Sequence, residues 1–463
     1  MGVLLPDDVL LEIFDLYMLM MKQSRRLDKR EIIEAWQPLV HVCRRWRNIV
    51  FESPRRLNLQ LVCTPKSRKD TLDVWPALPL IVMGTLDVSS RTDNIIAALG
   101  QNDRVRQIDL YLQSWTLESV LAPMQVSFPE LTDLHLFQVS YDDETLVIPD
   151  SFLGGSAPRL RSFTLTCIPF PGLPKILLTT THLVQLHLRH IPHSGYISPK
   201  AMAALLSVLS SLESLHLDFP SPQSQTNWES QSLPLPERSI LPALREFGFK
   251  GFTGYLEELV TRIDTPRLDN MCMTFFNQID FDCPRLAQFI NRAPKLKKRD
   301  AQVEFDDNSA RVRLPALHST FGIDIFSFEP GWQLSSIAQV CNSSLPPISM
   351  VEELYIEHRY LELVWENNAI EKTAWLELLF PFTAVQDLYI SKELAPGIAA
   401  VLEELAVGRI KEVLPSLQNM FVEGLEPSRY LQENIGQFVA ARQLSNHPIT
   451  VSVWDKDPKM KSM

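Results

Sequence analysis

The chain has 463 residues, 45% of them hydrophobic and 21% charged, and a formal net charge of −11. This is the composition of a globular protein with ample length for a core, not of a disordered or fibrous chain. The acidic balance argues against a phosphate-backbone partner, so no nucleic acid is expected. No apolar run approaches the ~18 residues of a membrane span and no basic segment precedes an apolar core, so neither a membrane association nor secretion is expected.

The first predicted element starts at Leu5-Pro6-Asp7-Asp8 and carries Leu5, Val9, Ile13 and Leu16 at helical spacing, with Leu10, Phe14 and Tyr17 widening the apolar stripe. Pro6 suits a first helical turn that needs no N–H, and Asp7 and Asp8 suit the positive end of the helix dipole. A second helical segment repeats Leu39, Val42, Cys43, Trp46, Ile49 and Val50 at three and four, opposite Arg44, Arg45 and Arg47, and stops at Ser53-Pro54. The stretch between them, about 18–36, reads as a charged helical insert with Lys22, Arg25, Arg26, Lys29, Arg30, Glu31 and Glu34. Two short amphipathic helices either cap the domain that follows or bury a face against a partner. The Leu-Pro start, the Ile13-Phe14 pair and the Cys43-x-x-Trp46 element together resemble an F-box, and the long insert is similar to F-box proteins of mushroom-forming fungi. That resemblance implies that Leu5, Pro6, Leu10, Ile13, Phe14, Leu39, Val42, Cys43 and Trp46 hold the module together or bind a Skp-type adaptor, which bridges to cullin and RING subunits of a ubiquitin ligase.

Beyond residue 64 one apolar pattern recurs, as at Leu131/Leu134/Leu136/Val139, Leu160/Phe163/Leu165/Ile168, Leu183/Leu186/Leu188/Ile191, Leu244/Phe247/Phe249/Phe252, Leu268/Met271/Met273/Phe276 and Leu417/Met420/Val422/Leu425. Shorter copies stand at Leu212, Val351 and Val385. Phe128-Pro129, Ala157-Pro158, Thr265-Pro266 and Leu414-Pro415 signal turns before several copies. Helical stretches fall between copies at Lys200–Leu209, Tyr255–Ile263 and Leu394–Val407. The spacing, in the range of about 20–30 residues that solenoid repeats take, and the L-x-x-L-x-L core resemble leucine-rich repeats. Apolar residues stand where a regular repeat has Asn or Cys, so an irregular solenoid is expected. Between Lys297 and Met350 the pattern fades, with Val303–Phe305 and Ile323–Phe328 as candidate strands. The Pro-rich segment Pro220–Pro242 is expected to loop out without a ladder, Ile449–Val453 to form a last strand, and Lys456–Met463 to be a tail.

Alternation along each strand sends the residues between the apolar positions to the opposite, outward face. The central outward column reads His135, Thr164, His187, His216, Gly248, Cys272, Tyr355, Tyr389 and Phe421. In the flanking columns the acids Asp133, Asp218, Glu246, Glu353, Glu357, Asp387 and Glu423 outnumber the bases Arg189 and Lys250. These columns are either ordinary solvated strand residues or a substrate-binding face, on which His135, His187, His216, Tyr355, Tyr389 and Phe421 are the candidates and a donor-rich, basic ligand is favoured.

Conventional catalytic signatures are missing. His182, His187, His190 and His193 cluster in sequence, but a strand and a turn send them in different directions, so no metal site is expected. Gly248, Gly251 and Gly254 lack the Lys-Ser/Thr of a phosphate loop. Cys43, Cys63, Cys167, Cys272, Cys283 and Cys341 form no Cys-x-x-Cys pair and are expected to be reduced thiols of a cytoplasmic or nuclear protein. The resulting expectation is an α/β chain without cofactor or catalytic activity. It has a helical F-box at 1–64, an irregular leucine-rich-repeat-like solenoid with a parallel sheet on its concave face at 65–454, and a tail at 455–463. Its expected role is a substrate receptor of an SCF-type ligase, which works by proximity. The alternative is a repeat scaffold or sensor acting outside ubiquitination.

Overall fold

In a computed structural model of the chain, the repeated apolar triplets become strands whose alternate side chains are buried, as in Asp133–Gln138, where Leu134, Leu136 and Gln138 turn inward. The structure describes residues 5–454 except 25–26, 67–71, 73–74, 76, 88–91, 140–145, 170–174, 220–237, 277–280, 297–298, 307, 317–318, 327–329, 344–347, 359–370, 407–411 and 425–428. Leu425 and the tail from Lys456 lie outside the described residues. The chain divides into two compact units, Met1–Ile197 and Ser198–Met463.

The first unit opens with four helices, α1 (Asp7–Gln23), α2 (Lys29–Ile33), α3 (Gln37–Val42) and α4 (Arg44–Glu52). Six parallel strands follow, β1 (Leu61–Cys63), β2 (Leu80–Leu86), β3 (Val105–Leu112), β4 (Asp133–Gln138), β5 (Ser162–Thr166) and β6 (Gln185–Arg189). Each pairs with the next in sequence order, so the connections cross on one side. Leu134, Phe163 and Leu186 fall in one buried row, and Leu136, Leu165 and Leu188 in the next.

The second helical segment is not continuous. Cys43 takes an extended conformation (φ −159°, ψ 169°) and ends α3, and its Sγ accepts the Trp46 N–H at 3.5 Å to start α4. A straight helix would set Val40 and Ile49 on opposite sides of its axis. The break turns Leu39, Val40, Ile49 and Val50 into one core. The insert is partly an extension of α1, through Gln23, and partly α2, closed by a capping box between Asp28 and Glu31. Its end is structural: Trp36 is fully buried and donates Nε1 to the Gln60 carbonyl at 2.8 Å, and the Glu34 carboxylate accepts the Val62 N–H at 2.9 Å. Leu57, Leu59 and Leu78 share the helical core, so the helices and the first strands are packed together across residue 64.

The second unit has β7 (Ser214–Asp218), β8 (Ser239–Ile240), β9 (Glu246–Gly251), β10 (Ile263–Asp264), β11 (Asn270–Phe276), β12 (Asp300–Phe305), β13 (Ser309–Ala316), β14 (Ser319–Phe326), β15 (Glu353–His358), β16 (Asp387–Ile390), β17 (Asn419–Glu423) and β18 (Thr450–Trp454). Helices Pro199–Val208, Thr253–Thr261, Ala395–Ala406 and Arg429–Leu444 are among those connecting them. The main sheet runs β7-β9-β11-β14-β13-β12-β15-β16-β17-β18.

Two expectations are corrected here. The sheet is not wholly parallel, because β12, β13 and β14 form an antiparallel meander inserted between β11 and β15. The connection from Phe305 to Ser309 is too short for a crossover. The Asp306 carboxylate fixes it by accepting the Asn308 N–H at 3.0 Å and the Ser309 hydroxyl at 2.8 Å. In the Pro220–Pro242 segment, of which 220–237 lie outside the described residues, Ser239–Ile240 does form a ladder, parallel to Ile263–Asp264.

The apolar residues at the ends of the repeats are also unequal: Ile168 and Ile191 are buried, whereas Val139 is exposed. Arg442 bonds backbone at the other end of a repeat, before its strand. Nearly wholly buried, it donates Nη2 to the carbonyls of Leu414 and Leu417, both at 3.1 Å, and ties helix Arg429–Leu444 to the turn before β17.

Candidate binding surfaces

In the first unit α1 presents two apolar faces. Leu10, Phe14 and Met18 enter the core, where the Phe14 ring meets Trp46 edge-on at 4.8 Å. Val9, Ile13, Leu16 and Met20 stand on a separate stripe, within about 60° of the helix circumference, and all are exposed, Leu16 at 60% and Met20 at 71%, as is Leu5 just before the helix. Val42 on α3 is 59% exposed. Arg45 pairs with Asp7, and Arg56 with Glu12 and Asp15, so the polar seam of α1 is held by α4 and the turn after it. The structure therefore divides the nine sequence candidates. Leu10, Phe14 and Leu39 are core, and Trp46 is half-buried against it. Leu5, Pro6, Ile13, Val42 and Cys43 are exposed. Met20 was not read from the sequence because it lies in the stretch assigned to the insert.

The outward row of this unit aligns Asp109, His135, Thr164 and His187 on β3 to β6. His135 Nδ1 lies 2.9 Å from Asp109 Oδ1, and Lys29 on α2 donates Nζ to Oδ2 at 3.0 Å. Those two hydrogen bonds hold the Asp109 carboxyl at about 2, below its usual range, against the opposing effect of burial. His187 is half-exposed on the same row.

In the second unit the outward row aligns His216, Gly248, Cys272, Gly322, Arg313, Gln302, Tyr355, Tyr389, Phe421 and Ser452. Tyr355, Tyr389 and Phe421 come together. The tyrosines stack at 4.3 Å and 8°, and Tyr389 stacks on Phe421 at 4.6 Å and 10°. Trp454 meets Tyr389 edge-on at 5.5 Å and Tyr355 at 6.1 Å. The expected strand ended at Val453, which hid this ring. His216 is not part of the group, since β9, β11, β14, β13 and β12 stand between; it pairs with Glu246 at 3.1 Å. Desolvation of its sulfur, then Asp324, pushes the Cys272 thiol up, although the residue as a whole is exposed.

The row beside the aromatics carries Asp300, Glu353 and Asp387 in register on β12, β15 and β16. Tyr355 donates its hydroxyl to Glu353 at 2.8 Å, and Asn419 donates Nδ2 to Asp387 at 2.7 Å. Burial and then Glu353 raise Asp300, while burial and then the nearby acids raise both tyrosines. The meander arginines are engaged elsewhere: Arg311 pairs with Glu304, Asp306 and Asp324, and Arg313 with Glu304. Among the described residues no group of three His, Cys, Asp or Glu side chains could hold a metal ion, and no helix is long and apolar enough to cross a membrane.

Neither a protein-family model nor a curated protein matches the chain. Among solved structures, it is similar to the leucine-rich repeat-containing protein LegL7 from Legionella pneumophila, at 14% identity and a TM-score of 0.27, over 82% of this chain and 97% of that one. A likeness this slight carries no argument; the repeat architecture rests on the strands and registers described above.

Proposed function

We propose that the chain is a substrate receptor of an SCF-type ubiquitin ligase, its N-terminal helices docking a Skp-type adaptor and its repeats binding a protein substrate. The observation that carries this is the bare stripe Val9, Ile13, Leu16 and Met20 on α1, with exposed Leu5 just before it, distinct from the face that packs inward. A helix that serves only as a cap needs one apolar face. A second one exposed to water is a docking surface, where covering each large side chain contributes about 1.5–3 kcal/mol. The resemblance to an F-box supplies the identity of the occupant. The receptor would contribute proximity alone, holding a substrate lysine near a charged ubiquitin-conjugating enzyme.

A second reading, a repeat scaffold or sensor outside ubiquitination, draws on the inward packing of Leu57, Leu59 and Leu78 against the helices. Titrating the purified full chain with a purified Skp-type adaptor by calorimetry separates the two. The receptor reading expects a stoichiometric complex, and the absence of binding leaves the scaffold reading standing.

A further inference from the structure

We propose that the outward face of β15 to β18 seats an arginine side chain of a partner protein, its guanidinium held by Glu353 and Asp387 against the Tyr355–Tyr389–Phe421 row. This deepens the receptor reading, resting on it for the ligand being a protein.

Three features of the face point to a planar cation. First, Asp300, Glu353 and Asp387 stand in register on three adjacent strands, where neighbouring backbones are about 4.8 Å apart. Like charges directly opposite one another are destabilising, and none of the three has an ion-pair partner among the described residues. Glu353 and Asp387 do accept neutral hydrogen bonds from Tyr355 and Asn419, which fix their positions without neutralising them.

Second, the adjoining row is aromatic on three successive strands, with Trp454 turned back over it. The short side chain of Ser452 is the register partner of Phe421 on its far side. Both faces of Tyr389 are covered by its neighbours, so a cation meets the outer face of Tyr355 or Phe421; there guanidinium, planar, weakly hydrated and with a fork of donors, is favoured over ammonium. Third, Glu357 on β15, buried and accepting the Gln302 amide, and Glu423 on β17 add two acids on the other side of the aromatics. A lone apolar row would fit many occupants; one flanked by acids fits a basic side chain.

The test titrates the full chain with tetra-arginine, tetra-lysine and tetra-citrulline peptides. The inference expects tetra-arginine to bind several-fold more tightly than tetra-lysine, and tetra-citrulline to bind at least tenfold more weakly. Glu353→Gln with Asp387→Asn, and separately Tyr389→Ala, should each weaken tetra-arginine at least tenfold. Tyr389→Phe keeps the ring and should bind as the parent does. Glu246→Gln, which removes an acid outside the seat, should also leave binding unchanged. Equal losses with Glu246→Gln, or binding indifferent to Glu353, Asp387 and Tyr389, would show only attraction to an acidic protein and overturn the assignment, as would the absence of tetra-arginine binding. Adaptor titration on the same preparations keeps the two readings apart: loss of arginine binding with adaptor binding intact rejects this seat alone, and the converse rejects the receptor role alone.

Discussion

The Phe14 ring packs edge-on against Trp46 at 4.8 Å, while the next residue in the chain toward the N-terminus, Ile13, points away into solvent at 42% exposure. Adjacent residues of one helix thus serve separate tasks. Phe14→Ala should cost about 3–5 kcal/mol of stability in denaturant unfolding, whereas Ile13→Ala should cost under about 0.5 kcal/mol. Equal costs would mean that the outer stripe is covered within the chain.

Arg442 is buried against the Leu414 and Leu417 carbonyls, and burial lowers the affinity of its guanidinium for its proton. Arg442→Met keeps most of the side-chain volume but removes the donors; the Leu414 carbonyl still accepts the Leu417 N–H at 3.1 Å, whereas the Leu417 carbonyl loses its side-chain donor, at about 1–3 kcal/mol. A thermal melt should show a clear drop. A melting temperature within a degree of the parent would mean that water replaces the guanidinium.

Asp109 is held at about 2 by His135 and Lys29, below the ordinary aspartate value of 3.8. A carboxyl lowered by folding stabilises the fold above its unfolded value and loses that contribution as pH falls toward the folded value. Unfolding of the parent should therefore lose stability between about pH 4 and 2 in part through this group. Asp109→Asn should be less stable at pH 7 and show a shallower acid slope in that window; an unchanged slope would mean that the carboxylate is not paired in solution.

Gly248 leaves room for a histidine. A Cβ at this position would fall 2.1 Å from His216 Nδ1, so Gly248→Ala must displace the ring from Glu246. Overpacking of this kind typically costs about 1–3 kcal/mol. Adding His216→Ala should recover much of the loss in a double-mutant cycle, and purely additive effects would contradict the contact.

Most of the repeat strands were legible because their apolar triplets alternate with polar residues and are followed by turns. Of the meander, Val303–Phe305 and Ile323–Phe326 were legible as strand and are parts of β12 and β14, but β13 was not, although its buried Ala310, Val312 and Leu314 alternate with Arg311 and Arg313. Its register is set by the Asp306 turn and antiparallel pairing, for which the repeat pattern holds no sign. The break at Cys43 was hidden because the apolar spacing on both sides suits one helix. On α1 the stripe was visible, but its division into inner and outer faces depends on where the core lies. The aromatic row could be listed from alternation, yet the acidic neighbour Asp300 belongs to a strand placed beside β15 by the meander alone.

If the outer face of α1 docks an adaptor, charges placed on that face abolish adaptor capture. Ile13→Glu with Leu16→Glu places charges on the bare stripe and leaves Leu10, Phe14 and Met18 in the core. With a Skp-type adaptor in excess, the parent chain should co-elute with it, and the double variant should melt like the parent but elute alone. Undiminished capture by the folded double variant would mean that the adaptor does not dock on this face.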